Sequence, residues 1–454
     1  MAIKDGRIGR HSLCGSTPKG AMMMVIRAIE YGPVMYASRS AMRVAALFLM
    51  TGLLCGCASM FPRDVVPKRL IDEAELAGMP NVRVWGDAPP EALAALSTIK
   101  QIRRKPNAAH GRLGQQPDEL NILAISGGGD NGAFGAGLLV GWGDAGTRPE
   151  FDLVTGVSAG ALTAPFVYLG RTRDAALKEV FTRYERSDIY DPGVVAPLLG
   201  SGLVDSSPLE SLIAKYVDDQ FLRDIAMERR KGRVLLIGTT NLDAQRPVLW
   251  DVGRIAMSNH PQALPLFRKI LLASASVPGA FPPVRIKVSV ADRTYEELHV
   301  DGGVTQQVFV PRPSTIICTD VPAKRAAARL FIIRNGKINP EWEAVEPGIF
   351  SISLRSISTL IKNQSIGDLY RIYAKAEIDG TDFNLAAIPS TFRATRETSF
   401  EQGYMQALYT EGYRSGFEGY QWMKAPPGIA NNPKPLSRVS SSASPPAGQS
   451  AELR

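Results

Sequence analysis

The stretch from Leu120 to Gly160 constrains the fold more than any other, because it reads as strand, glycine loop, helix, strand and glycine-flanked turn in immediate succession. Leu120-Asn121-Ile122-Leu123-Ala124-Ile125-Ser126 has the continuous apolar character of a strand buried on both faces. It runs into Gly127-Gly128-Gly129-Asp130-Asn131-Gly132, after which Ala133 to Trp142 is apolar enough for a buried helix. Phe151 to Val154 begins a second strand, which ends in Thr155-Gly156-Val157-Ser158-Ala159-Gly160. A strand, helix and strand of these lengths form a βαβ unit with a right-handed crossover and parallel strands. The glycine loop and Ser158 therefore emerge along one edge of the sheet.

That edge suits a nucleophile. Gly156 and Gly160 permit a sharp strand-to-helix turn that presents the Ser158 hydroxyl near the positive end of the following helix. The chain holds 42 glycines, so a lone G-x-S-x-G is equally the mark of a tight turn opening a closely packed helix. The preceding loop adds weight, since its bare backbone N–H groups can serve as an oxyanion hole. The loop also fits a dinucleotide fingerprint through Gly127, Gly129 and Gly132. However, the second strand ends in Gly156-Val157-Ser158 where an acid for the ribose belongs, and Asp152 lies at its beginning. Ala133 in place of a lysine removes the phosphate-loop reading.

The 454 residues carry a net charge of +8, much of it in the first 56 residues. Beyond them 45 basic and 42 acidic residues remain, a surplus of +3 that gives no support for nucleic-acid binding. The run 45–56 lies behind Arg39 and Arg43, is too short to span a bilayer, and has the length of a signal-peptide core. It closes on Leu54-Cys55-Gly56-Cys57, which resembles the lipobox of bacterial lipoproteins. The resemblance implies lipidation of Cys57 as the first mature residue. It also implies an address at the outer membrane facing the periplasm, with membrane attachment through that cysteine. Residues 1–56 then form a leader and signal peptide. Residues 57–119, broken by prolines, read as a tether and lead-in with one helix near 91–104. Residues 120–424 read as the globular domain, and 425–454, rich in Pro, Ser and Ala, as a disordered tail. Of the four cysteines only Cys318 would stay free, so neither a disulfide framework nor a metal cluster is available, and no cofactor is called for.

After the elbow helix, Ser207-Pro208-Leu209-Glu210 matches a capping box opening a helix to about Val217. Strands are expected at 233–239, 247–252, 284–290, 295–300 and 330–334. Helices are expected at 264–275, 354–376 and 402–423.

A serine nucleophile needs a proton acceptor. His11, His110, His260 and His299 are the histidines available, and only His299 lies near a plausible strand end. Asp301 shares its face and is followed by Gly302 and Gly303, which allow close backbone approach. An aspartate-initiated turn is the plain alternative. Taken together the motifs resemble the patatin-like phospholipase family. Gly127 to Gly132 is similar to its oxyanion loop, Gly156 to Gly160 to its nucleophile elbow, Ala273 to Pro278 with Phe281-Pro282-Pro283 to its proline block, and Asp301-Gly302-Gly303 to its aspartate motif. The resemblance implies a three-layer α/β/α fold with a mainly parallel sheet, a Ser158–Asp301 dyad, and cleavage of acyl esters of lipids. Burial is expected to raise the pKa of Asp301. Asn131 stands where the family usually has Arg or Lys, so a cation beside the developing oxyanion is missing. A lipid-binding lipoprotein of the same fold with weak or no turnover is the alternative.

Overall fold

The computed structural model of the chain describes residues 63–89, 120–190, 204–311 and 328–429. Cys57 and its apolar run, the helix expected near 91–104, His11, His110, Cys318 and the tail beyond residue 429 lie outside the described residues.

Strand β2 (Leu120–Ile125) sits inside a sheet ordered β1-β5-β4-β3-β2-β8-β9. Its parallel neighbours are β3 (Leu153–Val157) and β8 (Ala328–Lys337). Beyond these, β4 (Val234–Asn241) joins β3 and β9 (Asp382–Ile388) joins β8, again in parallel. The strands alternate as residues of period two must. Leu123, Ile125, Val154, Leu235 and Ile237 enter one core, while Ile122, Ala124, Leu153 and Leu236 enter the other. Helices cover both faces, giving three layers. On the first face lie α1 (Gly132–Asp144), α2 (Ala159–Leu169), α3 (Asp174–Thr182), α6 (Asp219–Arg230), α8 (Ala263–Ala275) and α10 (Gln402–Glu418). The second face is closed by Leu369, Ile372, Tyr373 and Ala376 of α9 (Ile349–Asp379). Among the described residues no helix is long and apolar enough to cross a membrane.

The antiparallel part of the sheet builds the site's other wall. Strand β5 (Arg246–Asp251) turns back on β4, and β7 (Arg293–Asp301) pairs with both β6 (Val284–Val290) and the end of β4. The register Thr239↔Asp301 brings the end of β7 to the carboxyl edge of the parallel strands. Residues 63–89, read from the sequence as lead-in, belong to this sheet: β1 (Arg83–Trp85) is its edge strand against β5. Val66, Ala74, Leu76, Met79 and Val82 are buried in the core, so this stretch is held by apolar burial and not only by tethering.

The capping box expected at Ser207 does not form. Helix α5 (Ser207–Tyr216) has Ser206 at its N-cap, and the Ser207 amide and hydroxyl both turn to Asp205, at 3.0 and 2.6 Å. Strand β9 and helices α3 and α6, along with the short α4 (Arg186–Ile189) and α7 (Val252–Met257), have no counterpart in the sequence reading.

Candidate active site

Strand β3 ends in a turn whose backbone is unusual for a residue other than glycine. Ser158 adopts φ 54° and ψ −125°, a left-handed conformation that costs roughly 1–3 kcal/mol in a non-glycine residue. The flanking glycines make the turn possible by close approach. A side chain at Gly160 would run into the Ile125 carbonyl, and one at Gly156 into that of Gly160. The strain is held from outside by Ser274 of α8. Its Oγ accepts the Ser158 amide at 2.9 Å and donates to the Gly238 carbonyl at 2.7 Å, tying the elbow to β4.

Asp301 reaches the same edge from β7 and is 1% exposed. Its amide donates to the carbonyl of Ser276, so two serines of the block 273–278 fix the two principal residues. One carboxylate oxygen, Oδ1, accepts the Gly303 amide at 2.7 Å, which is the aspartate-initiated turn considered from the sequence. The other, Oδ2, is buried without a hydrogen-bond partner. Burial pushes the carboxyl up to about 6, against the opposing pull of the Ser158 hydroxyl and the Gly303 amide. The Ser158 contact is thus close enough to act on Asp301 without being a well-formed hydrogen bond, as is common before substrate binds. Gly302 is required here too, because a Cβ on it would stand 2.6 Å from the Gly238 carbonyl.

The glycine loop lies directly beside Ser158: a Cβ on Gly127 would be 3.0 Å from Ser158 Cβ. Its amides are not equivalent. That of Gly127 donates to the Gln307 carbonyl at 3.2 Å, that of Asn131 to Gly128, and that of Gly132 to Asp130 and Gly129. Among the described residues no acceptor takes the amides of Gly128, Gly129 and Asp130, and of these Gly128 and Gly129 are the candidate oxyanion donors. The loop's side chains face away. Asp130 is buried, pairs with Arg396 and accepts the Phe400 amide at 3.0 Å. Asn131 Oδ1 accepts the Tyr404 hydroxyl at 2.7 Å. The position that lacks a cation is therefore engaged by an aromatic hydroxyl, and the nearest basic partner of the loop is Arg396 on the neighbouring Asp130.

His299 is fully buried and has both ring nitrogens engaged, Nδ1 with Thr239 Oγ1 and Nε2 with Glu297, each at 3.0 Å. Burial lowers its pKa despite the Glu297 carboxylate. Glu297 is in turn held by Arg83 of β1. Burial would raise its pKa, but the His299 hydrogen bond and the Arg83 guanidinium hold it down to about 2. This network leaves His299 no free nitrogen for Ser158.

Sequence reasoning missed Ser274, Asn335 and Gln307 as site residues. Asn335, at the end of β8, clamps the start of the loop through Ser126, with Nδ2 on its carbonyl and the backbone amide on its hydroxyl, both at 2.9 Å. Gln307 faces the loop from the segment after Asp301. The repeated polar residues Gln306-Gln307 beyond Asp301-Gly302-Gly303 were the available signal.

A mainly parallel sheet that delivers a glycine loop, a strained serine and a buried acid to one edge defines an α/β serine hydrolase. The model of the patatin-like phospholipase family matches residues 123–311, so this region carries a patatin-like phospholipase domain. Among solved structures, the chain is similar to VipD from Legionella pneumophila at 11% identity, with 66% of each chain covered and a TM-score of 0.35. It is similar to human GIVD cytosolic phospholipase A2 at 12%, covering 72% of this chain and 62% of that one, with a TM-score of 0.36. It is also similar to ExoU of Pseudomonas aeruginosa, solved with SpcU, at 15%, covering 67% and 52%, with a TM-score of 0.31. The matches thus span two thirds or less of those chains. No curated protein matches the sequence significantly.

Proposed function

We propose that the protein is an acyl-ester hydrolase acting on lipids through Ser158 and Asp301, and that lipidated Cys57 holds it at the outer membrane facing the periplasm. The observation that carries the reading is the Asp301 carboxylate. It is buried, raised to about 6, and has one oxygen free beside a serine in a strained turn. A carboxylate at its ordinary pKa is a weak base, whereas one near 6 is largely ionised at neutral pH and still accepts a proton effectively.

In the first half-reaction Ser158 Oγ attacks the ester carbonyl and its proton passes to Asp301 Oδ2. The Gly128 and Gly129 amides receive the negative charge on the carbonyl oxygen. The alcohol portion leaves with the proton from Asp301, and the acyl group remains on Ser158. Water then attacks the acyl carbon and Asp301 takes and returns a proton once more. An apolar substrate is supported by the rings beside the loop: Phe400 stands next to Gly129, and Tyr190 packs edge-on between Phe400 and Phe281 of the proline block.

Asn131 favours a second reading, a lipid-binding lipoprotein with little turnover. A fluorophosphonate probe decides between them. Labelling at Ser158, abolished in Ser158→Ala and in Asp301→Asn, supports the hydrolase, whereas an unlabelled Ser158 in folded protein sinks it. Mass measurement of the amino-terminal peptide tests the anchor, and an unmodified Cys57 with its leader attached overturns it.

A further inference from the structure

We infer that Gln307 orients the water that releases the acyl group from Ser158, a role resting on the Ser158–Asp301 reading above. Gln307 follows the turn after Asp301 and is only 6% exposed. Its backbone is fixed from both sides. The carbonyl accepts the Gly127 amide at 3.2 Å, and its own amide donates at 2.8 Å to Asp368, a buried residue of α9. The carboxamide is treated differently: among the described residues no protein group hydrogen-bonds it. Neither carboxamide atom is among the fully enclosed side-chain atoms that lack a partner, so both reach open space, where solvent or ligand is the partner on offer.

The space around the carboxamide says which partner. A Cβ built on Gly127 would stand 2.5 Å from Gln307 Oε1 and 3.0 Å from Ser158 Cβ. A Cβ built on Gly303 would run into Gln307 Nε2 and stand 3.0 Å from Asp301 Oδ1. The amide therefore bridges the glycine loop and the aspartate motif, with its oxygen toward the serine and its nitrogen toward the acid. Both neighbours must be glycine for it to fit.

A carboxamide cannot act as a base near neutral pH, but it can accept one proton of a water and donate to another oxygen at once. Water held by Oε1 through one proton keeps its other proton for Asp301 Oδ2 and its lone pair for the acyl carbon. In that step the water oxygen bonds to the acyl carbon, the proton goes to Asp301, the carbon–Oγ bond of Ser158 breaks, and Oγ takes the proton from Asp301. The products are free carboxylic acid and regenerated serine. No such water is needed in acylation, where Ser158 itself is the nucleophile, so the two half-reactions separate the role.

The test is burst kinetics with a p-nitrophenyl ester on the full chain in detergent, together with the rate of fluorophosphonate labelling and the intact mass of quenched enzyme. Gln307→Leu is expected to keep burst and labelling rates within about threefold of wild type, while steady turnover falls about 10–100-fold and acyl-enzyme accumulates. Gln307→Asn, whose amide is drawn back by one methylene, should show a smaller fall of the same kind and serves alone if the leucine variant does not fold. Burst and labelling rates that fall in parallel with turnover would overturn the inference in favour of a loop-shaping role. Unchanged turnover in both variants would overturn it as well. A wild type that is never labelled at Ser158 defeats the hydrolase reading itself, a result distinct from these.

Discussion

Replacing Asp301 by Asn should make the protein nearly inactive and more stable at neutral pH, a pairing that follows from its burial. Asp301 is fully enclosed and its carboxyl is raised from 3.8 to about 6, chiefly by desolvation. Between those values the native state holds a proton that the unfolded chain has released. Stability therefore falls as pH rises through that window and stays low above it. The interval corresponds to ~3 kcal/mol at pH 7, the cost of burying a charge that has one oxygen unpartnered. Asparagine carries no charge, and its Oδ1 can keep the Gly303 amide that Asp301 Oδ1 accepts. Urea denaturation at about pH 7 should show the variant stabilised by up to ~3 kcal/mol, with the gain vanishing near pH 4, where the aspartate is itself neutral. Burst-phase acylation should fall by ~10²–10⁴ with loss of the base. In the wild type, kcat/KM should rise about tenfold per pH unit up to about 6 and then level. A variant that is less stable than wild type at pH 7, or that acylates within tenfold of it, would refute the reasoning.

Ser274→Ala leaves the buried Ser158 amide and Gly238 carbonyl without their shared hydroxyl. It should cost ~1–3 kcal/mol and slow acylation, measured by denaturation and burst rate. Arg83→Met strips a guanidinium from the buried Glu297 and should cost ~3–5 kcal/mol, most of it recovered when Glu297→Gln is added; equal losses in single and double variants would count against the pairing. His299→Gln should change acylation only modestly, because both ring nitrogens serve Thr239 and Glu297, and a dead but folded variant would contradict that. Gly160→Ala drives a methyl group into the Ile125 carbonyl and should abolish soluble expression.

The motif-bearing part of the fold was readable because its constraints are local. A buried strand, a glycine run and an apolar helix state their own periods, and right-handed crossover then fixes the edge they share. Asp301 was readable for a related reason, since paired glycines after a strand announce close backbone approach. The rest depended on neighbours distant in sequence. Strand β9, Asp382-Phe383-Asn384-Leu385-Ala386-Ala387-Ile388, has poor strand formers and no alternation because both faces are buried, so only its pairing with β8 makes it a strand. Ser274 and Gln307 look like ordinary polar residues until the sheet brings Ser158 and Gly127 to them. Prolines between Phe61 and Glu119 suggested a tether, and five buried apolar side chains between Val66 and Val82 outweigh that signal. Between His299 and Asp301, a choice open by composition, the structure leaves an uncommitted atom on the acid and none on the imidazole.

The placement of β1 makes the transferable module longer than its signature. The family match begins at residue 123, and every motif quoted from the sequence could be excised with a fragment starting near Leu120. Such a fragment would lack Arg83, which lies over Trp250 at 5.5 Å and faces the carboxylate of Glu297, two positions before His299 and four before Asp301 on the same strand. Grafting, domain swapping or expression of the recognisable portion alone would thus carry away the reactive groups while leaving behind the strand that braces them, and recombination breakpoints compatible with activity should fall ahead of Arg63.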